Sequence, residues 1–332
     1  MKKTQVVCIG EALIDRIRNK SNKGFTDFLG GAPANVAFAL RKLKIDSIFI
    51  GSLGSDDFGE RIIEQFNELE VNLDFLQLDR DSSTRIVNVG RDQSGDRFFS
   101  GFEPSPHSYF SDEALRMKLI EKELPKLEKC FLRTQYLVTG TNVLSSPISA
   151  ETIFFLLEHA KKFEVKIVID LNWREAFWEY SNFASNTIKK GRINLIKNFL
   201  NHAHVIKLAK EEATLFFELE NPLLISQQMS ERPDVIITDG KNPISWYING
   251  CQGNTKTPNS QTIVDTTGAG DAFLAGLISQ FISYGYPRTG LEIEDCVKFA
   301  SVCGFLTCQG EGAIEPQPDY EKVSKFLGSL IS

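Results

Sequence analysis

The sequence predicts an α/β fold: a doubly wound, mostly parallel sheet with helices on both faces, plus a small β-sheet lid. Three observations predict it. Short apolar runs alternate with amphipathic helical patterns, 42% of the 332 residues are hydrophobic, and no Pro-, Gly- or Ser-rich linker divides the chain. Buried parallel strands read as apolar runs because helices cover both faces of the sheet. The length allows one large core, and we therefore expect a single domain over residues 1–332.

The main strands and helices follow from the hydrophobic pattern. Apolar runs predict buried strands at residues 6–9, 47–50, 136–139, 166–170, 204–208 and 235–238. Apolar residues at helical spacing predict amphipathic helices at 34–43, 58–69, 148–163 and 211–217. This alternation indicates parallel strands that are joined by helices.

Two segments depart from the alternation. Residues 12–30 and 84–103 combine β-prone, polar and aromatic residues with glycine, and no long helix pattern follows either of them. We interpret both as strands of a small sheet that projects from the main domain as a lid.

Composition excludes several classes of function. A net charge of −6 without a basic tract argues against nucleic acid as a partner. No apolar run approaches the roughly 20 residues that span a bilayer. The apolar run at residues 6–9 is too short for the core of a signal peptide and reads as a first strand. The six cysteines form no Cys-x-x-Cys pair, so a zinc site is not expected, and Cys296, Cys303 and Cys308 are predicted to be buried free thiols. We expect a cytoplasmic protein that does not contact membranes.

Residues 265–271 (Asp-Thr-Thr-Gly-Ala-Gly-Asp) are the most informative stretch, because an apolar helical run follows them at once. Free N–H groups and the dipole at a helix start suit a phosphate. Gly268 and Gly270 allow the backbone to approach an oxyanion closely, and Asp271 places a carboxylate beside it. An anion cradle with an adjacent base fits phosphoryl transfer to a hydroxyl. The alternative is a glycine turn in which Asp271 only caps the helix.

A second glycine turn opens a helix at residues 30–37 (Gly-Gly-Ala-Pro-Ala-Asn-Val-Ala). Pro33 suits the first helical turn, where its missing N–H is not needed. Asn35 offers a donor and an acceptor for sugar hydroxyls, and a local capping role is the alternative. The first strand lacks the Gly-x-Gly-x-x-Gly dinucleotide fingerprint, and the chain has no Gly-x-x-x-x-Gly-Lys-Ser/Thr loop. A phosphate site is therefore expected only at residues 268–271.

Together the two motifs resemble the two signatures of the ribokinase-like (PfkB) carbohydrate kinases. Residues 10–15 (Gly-Glu-Ala-Leu-Ile-Asp) resemble the first strand of that family, and residues 170–178 resemble the Asp-x-Asn-x-Arg…Trp segment of fructokinases and 2-keto-3-deoxygluconate kinases. Residues 299–304 and 310–313 resemble the late helix and loop that wall the adenine. The resemblance covers nearly the whole chain, is closest to fructokinases and implies an ATP-dependent sugar kinase.

The resemblance also implies roles for individual residues. Asp271 would be the base that accepts the proton of the sugar hydroxyl, and the backbone of Gly268, Ala269 and Gly270 would form the anion hole. The implied sugar contacts are Asp15, Gly30, Gly31, Asn35, Arg97, Asn172 and Arg174. The implied ATP contacts are Lys207, Thr238, Gly240, Thr267, Gly268, Gly270, Ala300 and Cys303. Glu212 would help to organise Mg²⁺, and a monovalent cation such as K⁺ is a further implied cofactor.

Some of these roles have alternatives or depart from the family pattern. Arg174 could form a surface ion pair with Glu175 or Glu179 instead, and Arg97 could be a solvated residue of the lid edge. The family's Asn-x-x-Glu aligns with residues 209–212, where alanine replaces the asparagine, so metal organisation by that loop is in question. The family's Thr-x-Gly-x-x-Gly aligns with residues 238–243, where a proline replaces the last glycine and removes a donor.

The identity of the sugar stays open between two acceptors. Residues 98–102 (Phe-Phe-Ser-Gly-Phe) and 170–178 favour fructose. A 2-keto-3-deoxygluconate kinase shares much of this pattern, and its substrate carries a carboxylate that Arg85, Arg91 or Arg97 could meet. A nucleoside kinase is a further alternative, which the fructokinase-like segments disfavour.

The expected partners are a small-molecule sugar and ATP. A homodimer could form through the lid, with Phe25, Phe28 and Phe98 at the contact. The alternative outside enzymes is a catalytically inactive family member with a regulatory role, which only the lost asparagine at position 209 supports.

Overall fold

The computed structural model describes residues 5–18, 24–91, 97–179, 186–258 and 263–331. The strands are β1 (Gln5–Ile9), β2 (Leu13–Arg18), β3 (Phe25–Gly30), β4 (Ser47–Ile50), β5 (Ser52–Gly54), β6 (Gln77–Asp79), β7 (Ile86–Arg91), β8 (Arg97–Phe102), β9 (Thr134–Gly140), β10 (Lys166–Asp170), β11 (Val205–Ala209), β12 (Asp234–Asp239), β13 (Asn242–Ile248) and β14 (Cys251–Thr255). The helices are α1 (Ala32–Lys42), α2 (Asp57–Glu68), α3 (Met117–Lys122), α4 (Leu124–Phe131), α5 (Pro147–Lys162), α6 (Glu175–Glu179), α7 (Asn186–Leu200), α8 (Lys210–Phe217), α9 (Pro222–Gln228), α10 (Ala269–Tyr284), α11 (Gly290–Thr307) and α12 (Tyr320–Ile331). Short 3-10 turns lie at Ser111–Glu113 and Asn142–Ser145.

The main sheet has eight strands in the order β14-β13-β12-β11-β10-β9-β1-β4. The strands from β12 to β4 pair in parallel. Every strand and helix that the hydrophobic pattern predicted is present, with each end within two residues of the expected position. The doubly wound, mostly parallel architecture is therefore confirmed.

An antiparallel hairpin, β13 and β14, extends the β12 edge of the sheet and was not predicted. Asn249 and Gly250 join its strands and have φ values of 47° and 79°. Positive φ at both positions is what a two-residue type I′ turn requires, and Asn-Gly is the favoured pair. Pro243 lies next to the register shift between β12 and β13, where a missing N–H costs little.

Both faces of the main sheet are apolar, because successive side chains of a strand point to opposite faces. On β1, Val6 and Cys8 pack in a core that includes α1, α10 and α11. Val7 and Ile9 pack in a second core that includes α5 and α7. The two cores explain why these strands read as continuous apolar runs.

The order of the strands reverses at β1, since β4 lies on one side of it and β9 on the other. In open α/β sheets, ligands bind outside the carboxyl ends of the strands at such a switch point. The ends of β1, β10 and β11 and the starts of α1 and α10 are therefore the place to examine for a site.

Strands β2, β3, β7 and β8 form a separate four-stranded sheet in the order β3-β2-β7-β8. They fall within residues 12–30 and 84–103, so the expected small sheet is confirmed. Residues 19–23 and 92–96 lie outside the described residues, and the action of the small sheet as a lid stays a prediction.

Two expectations from composition can be compared with the fold. Cys296, Cys303 and Cys308 are buried free thiols, as predicted. Within the described ranges, none of the helices combines the length and the apolar character needed to span a membrane.

Candidate active site

The site is centred on a hydrogen bond between two helix starts. Asn35 lies in the first turn of α1 and Asp271 in the first turn of α10. The Asn35 Nδ2 donates to Asp271 Oδ2 at 2.8 Å, and both residues are buried. The asparagine and the carboxylate of the two sequence motifs are thus in direct contact, although 236 residues separate them in the chain.

The turn before α10 has the shape expected of an anion site. Gly268 caps the helix with φ 75°, a left-handed conformation that glycine adopts readily. A Cβ at this position would lie 2.8 Å from backbone atoms of Ala313, so a larger residue would not fit. The first regular helical bond is the one from Ala272 N to Gly268 O. The Ala269 N–H donates to the Thr266 carbonyl oxygen at 3.3 Å, and the backbone N–H groups of residues 268–271 stand at the positive end of the helix dipole.

Asp265 shapes this turn from its first position. Its Oδ1 accepts hydrogen bonds from the Thr267 backbone N–H at 3.1 Å and from Thr267 Oγ1 at 2.7 Å. Its Oδ2 accepts one from the Gly312 N–H at 2.8 Å. Thr267, predicted to contact ATP, is thus fixed by the carboxylate that begins its own motif.

A buried cation lies beside the turn. Lys207 Nζ donates to Asp170 Oδ2 at 2.8 Å, and a Cβ at Gly270 would lie 2.9 Å from the same Nζ. Burial lowers the pKa of Lys207, but the neighbouring carboxylates Asp170, Glu212 and Asp271 raise it above its usual value overall. The ammonium therefore stays charged where a phosphoryl group would meet the Gly268–Gly270 backbone.

Glu212 has a structural role in this cluster. Its Oε1 accepts from the Trp173 N–H at 2.6 Å and its Oε2 from the Ala209 N–H at 2.7 Å. Burial and the nearby Asp170 raise its pKa, although Lys207 and the two N–H groups oppose this. Ala209, which replaces the family's asparagine, has no side-chain oxygen to cap α8, and Glu212 reaches back to its N–H instead.

The environment of Asp271 tunes its basicity. Burial raises the pKa of this carboxyl to about 6, and repulsion from Asp170 acts in the same direction. The hydrogen bond from Asn35 and the positive charges of Lys207 and Arg174 lower it. A carboxyl with this pKa is mostly ionised at neutral pH and is a stronger base than an exposed aspartate.

Four of the seven predicted sugar contacts, Asp15, Gly30, Gly31 and Asn35, lie at the junction of the small sheet and α1. A Cβ at Gly30 would lie 2.5 Å from Asp15 Oδ2. Gly31 has φ 102°, and a Cβ there would lie 2.5 Å from the Glu11 carbonyl oxygen. Both glycines are therefore required for close packing, and they bring Asp15 toward the end of α1 that carries Asn35.

Other predicted residues are placed around this centre. Asn172 follows β10 with φ 40°, and Arg174, with an exposed side chain, donates from Nη1 to the Trp173 carbonyl at 3.2 Å. Arg97 is the first residue of β8, and its side chain lies outside the described part of the structure.

Four predicted nucleotide contacts lie farther along the sheet. Thr238 Oγ1 donates to the Leu208 carbonyl at 3.3 Å, which places it at the ends of β11 and β12. Gly240 follows β12 with φ 53°. Ala300 and Cys303 are buried at the α10–α11 interface, where a Cβ at Gly276 would lie within 2.9 Å of both. The structure thus brings these two residues against α10.

Arg85 is already paired and is not a candidate for a substrate carboxylate. It is 1% exposed, and its Nε donates to both oxygens of Asp112 at 3.0 Å. Its guanidinium carbon lies 4.3–4.7 Å from the ring centres of Phe102, Phe110 and Phe177. Its charge is therefore compensated within the fold.

The sequence did not single out Glu11 and Asn142, which form a buried pair near the sugar-binding residues. Glu11 Oε1 accepts from Asn142 Nδ2 at 3.1 Å and from the Ala32 N–H at 3.3 Å. Burial raises the pKa of Glu11 to about 7, while the hydrogen bonds that it accepts lower it. The position of Glu11 just after the apolar strand β1 was the signal that the sequence offered. Its partner Asn142 follows β9, and no spacing pattern in the sequence connects the two residues.

The residues present fit a phosphate chain better than a bare metal ion. Glycines at 268 and 270 leave room that a Cβ would fill, and Lys207 supplies a charge beside them. No group of three or more metal-ligating side chains occurs among the residues that the structure describes. Mg²⁺ commonly keeps several waters and is bound through substrate phosphates with one or two carboxylates, for which Glu212 is available.

Comparison with known proteins identifies the family. A model of the pfkB family carbohydrate kinases matches residues 3–320, and the chain belongs to this family. The chain is 28% identical over 320 residues to a fructokinase of Salmonella typhimurium, covering 95% of this chain and 96% of that protein. Membership makes the chain a phosphotransferase that acts on a sugar hydroxyl.

Solved structures share the whole fold. A fructokinase from Xylella fastidiosa with bound ATP has a TM-score of 0.85 at 25% identity and covers 99% of this chain and 100% of that one. A fructokinase from Vibrio cholerae O395, in a form with fructose, ADP and calcium, has a TM-score of 0.82 at 24% identity and covers 98% and 99%. The ribokinase-like fold and the resemblance to fructokinases are confirmed.

The pairing of Lys207 with Asp170 can be measured. Lys207→Met should lower the free energy of unfolding by roughly 3–5 kcal/mol, because it leaves Asp170 as an unpaired buried charge. The same substitution in an Asp170→Asn background should cost clearly less. Chemical denaturation of the parent, Lys207→Met, Asp170→Asn and the double variant gives the loss of unfolding free energy in each background. Equal losses in the two backgrounds would contradict the pairing. The control Lys161→Met removes an exposed ion pair with Glu158 and should cost less than about 1 kcal/mol.

Proposed function

We propose that this chain is an ATP-dependent fructokinase, which converts ATP and D-fructose to ADP and fructose 6-phosphate. The observation that carries the proposal is the buried Asp271 carboxylate, held by Asn35 at the start of α10 and beside the Lys207 ammonium. Its similarity to fructokinases across the whole chain supports the choice of sugar.

In this proposal Asp271 accepts the proton of the sugar hydroxyl. The attacking hydroxyl would donate to the Asp271 carboxylate, whose pKa, raised by burial to about 6, leaves it ionised at neutral pH. As the oxygen attacks, its proton passes to the carboxylate, and Asn35 holds the carboxylate in place. Asp15, Gly30 and Gly31 would orient the remaining hydroxyls.

The turn of residues 268–270, called the anion turn below, would stabilise the phosphoryl group during its transfer. Negative charge on the transferring phosphoryl group would be met by the N–H groups of residues 268–270 and by Lys207 Nζ. Arg174, which is exposed, would reach the phosphates from the opposite side. Charge on the ADP leaving group is met at the same helix start, so positioning and electrostatics supply the catalysis.

A metal ion would accompany the nucleotide. Mg²⁺ bound to the phosphates of ATP would offset their charge. Glu212, whose two oxygens accept the Trp173 and Ala209 N–H groups, would also accept hydrogen bonds from the water ligands of the ion. A monovalent cation such as K⁺ remains part of the proposal as an expected activator. Thr238, Gly240, Ala300 and Cys303 are proposed to border the nucleotide.

Of the three arginines suggested for a substrate carboxylate, Arg85 is the one whose side chain the structure describes, and it is not available for that contact. Glu11 lies within 3.3 Å of the Ala32 N–H, which directly follows Gly31. Arg85, a cation that could have met a substrate carboxylate, is paired with Asp112. The carboxyl of Glu11 and the pairing of Arg85 therefore favour a neutral sugar, while the side chains of Arg91 and Arg97 lie outside the described residues.

The small sheet is proposed to close over the sugar and exclude water, which competes as an acceptor. Its Phe25 and Phe99 are 52% and 41% exposed, and they suit a contact between two lids in a homodimer. Phe28, also expected at the contact, is half-buried against Gly312, and the side chain of Phe98 lies outside the described residues. Light scattering at micromolar concentration tests the dimer, and a mass of 37.3 kDa would exclude it.

Removing the base tests the mechanism. Asp271→Asn should lower kcat by at least about a hundredfold, because the amide cannot accept the proton. The affinities for ATP and fructose, measured by calorimetry, should change by no more than a few fold, because asparagine has nearly the same shape as aspartate. The matched control Asp295→Asn changes an exposed carboxyl of α11 and should turn over normally. Near-normal turnover of Asp271→Asn would contradict the assigned role.

A panel of acceptors tests the substrate. ADP release with Mg-ATP should be strong with fructose, and kcat/KM should be at least about tenfold lower with 2-keto-3-deoxygluconate, ribose and adenosine. A tenfold difference corresponds to about 1.4 kcal/mol of transition-state stabilisation. Preference for another acceptor would keep the kinase and move the sugar assignment. If none of the four acceptors is phosphorylated although the protein still binds ATP, an inactive regulatory protein would be favoured.

A further inference from the structure

The segment of residues 312–317, between α11 and α12, contacts both Asn35 and the turn that precedes Asp271. On one side it supports the anion turn. The Gly312 N–H donates to Asp265 Oδ2 at 2.8 Å, and Ala313 packs so closely on Gly268 that a Cβ there would lie 2.8 Å away. The shape of the turn before Asp271 thus depends on this segment.

On its other side the same segment is fastened to α1. Gln317 Nε2 donates to the backbone carbonyl of Asn35 at 3.0 Å, and this bond is buried. Lys42, at the end of α1, directs its Nζ to the carbonyl oxygens of Glu315 and Gln317 at 3.2 and 3.3 Å and also to that of Ile314. An ammonium that is shared among several carbonyls holds the path of the loop without any side-chain acceptor.

These contacts form one route between the two catalytic side chains. Asn35 and Asp271 lie on different helices, so their hydrogen bond requires the start of α1 to be fixed relative to the start of α10. The 312–317 segment touches both starts, through Gln317 at Asn35 and through Ala313 at Gly268. Ala313 ends the 310–313 stretch that the sequence analysis compared with the adenine loop, whereas Lys42 and Gln317 belong to none of the motifs.

We infer that Gln317 and Lys42 are positioning residues, which use the 312–317 segment to hold Asn35 against Asp271. The inference rests on the proposed function in one respect: Asp271 is taken as the acceptor of the sugar proton. Gln317 acts at the asparagine itself, and Lys42 keeps the segment in place along α1.

This arrangement has a consequence for the basicity of Asp271. The charged groups that face it are Asp170 of β10, Lys207 of β11 and Arg174 after β10, and Asn35 of α1 supplies its hydrogen bond. The bond from Asn35 lowers the pKa of Asp271. Loosening Asn35 while the charges stay in place should therefore raise this pKa and move the acidic limb of the pH–rate profile upward.

The experiment compares pH profiles of kcat/KM for fructose. The parent should lose activity below about pH 6, where Asp271 becomes protonated. Gln317→Met should move this limb upward by about half a pH unit, the equivalent of a weakened hydrogen bond. In an Asn35→Ala background the same substitution should not move the limb further. Gln228→Met, an exposed position of α9, is the matched control and should leave the profile unchanged.

Lys42 supplies the second variant, which carries the test if Gln317→Met does not fold. Lys42→Met should shift the limb in the same direction, and Lys42→Arg, which keeps a donor for the carbonyls, should restore the parental profile. If neither Gln317→Met nor Lys42→Met moves the limb of an active enzyme, the inference is wrong while the role of Asp271 stands.

A readout without turnover separates this inference from the proposed function. A carboxyl whose pKa is raised by folding contributes stability below its unfolded value of about 4, and this contribution is lost as the pH rises through the native value. The difference in unfolding free energy between Asp271→Asn and its parent should thus grow from about pH 4 and level off above about pH 6. In the Gln317→Met background this levelling should occur at higher pH, even if the chain phosphorylates none of the sugars. An unchanged levelling point would refute the inference.

Discussion

The hydrogen bond between Asn35 and Asp271 is the contact on which the site depends. It joins the first turns of α1 and α10, which come from opposite ends of the chain. Such a contact exists only because the strand order reverses at β1 and because α1 and α10 pack on the same face of the sheet. The fold thus converts two distant glycine turns into one site, with an acceptor for a proton beside an anion cradle.

Electrostatics set the second constraint. Asp170, Glu212 and Asp271 are buried carboxyls near one another, and Lys207 is the cation among them. Without it, repulsion from the neighbouring carboxylates would raise the pKa of Asp271 further, and a protonated Asp271 could not accept a proton. The same ammonium lies beside Gly270. Lys207 therefore both offsets the charge of the buried carboxylates and supplies a positive charge where a phosphate would bind.

The sequence predicted the parallel strands, the small sheet and the motif residues at the two helix starts, because apolar periodicity and glycine turns are local signals. The β13–β14 hairpin was missed, although Asn249-Gly250 between β-prone residues is its usual signature. The pairing of Glu11 with Asn142 and of Gln317 with Asn35 could not be predicted. These contacts join residues 131 and 282 positions apart, and only the tertiary fold brings them together. Arg85 looked available because sequence does not show burial among three aromatic rings.

The central claim is that Asp271 and the Gly268–Gly270 backbone meet one hydroxyl and one phosphate. A crystal structure of the protein with fructose and a non-hydrolysable ATP analogue tests it most directly. The account predicts a fructose hydroxyl within hydrogen-bond distance of the Asp271 carboxylate, with the terminal phosphate at the N–H groups of residues 268–270. A sugar bound with its hydroxyls away from Asp271, or a phosphate chain that does not reach the start of α10, would contradict it.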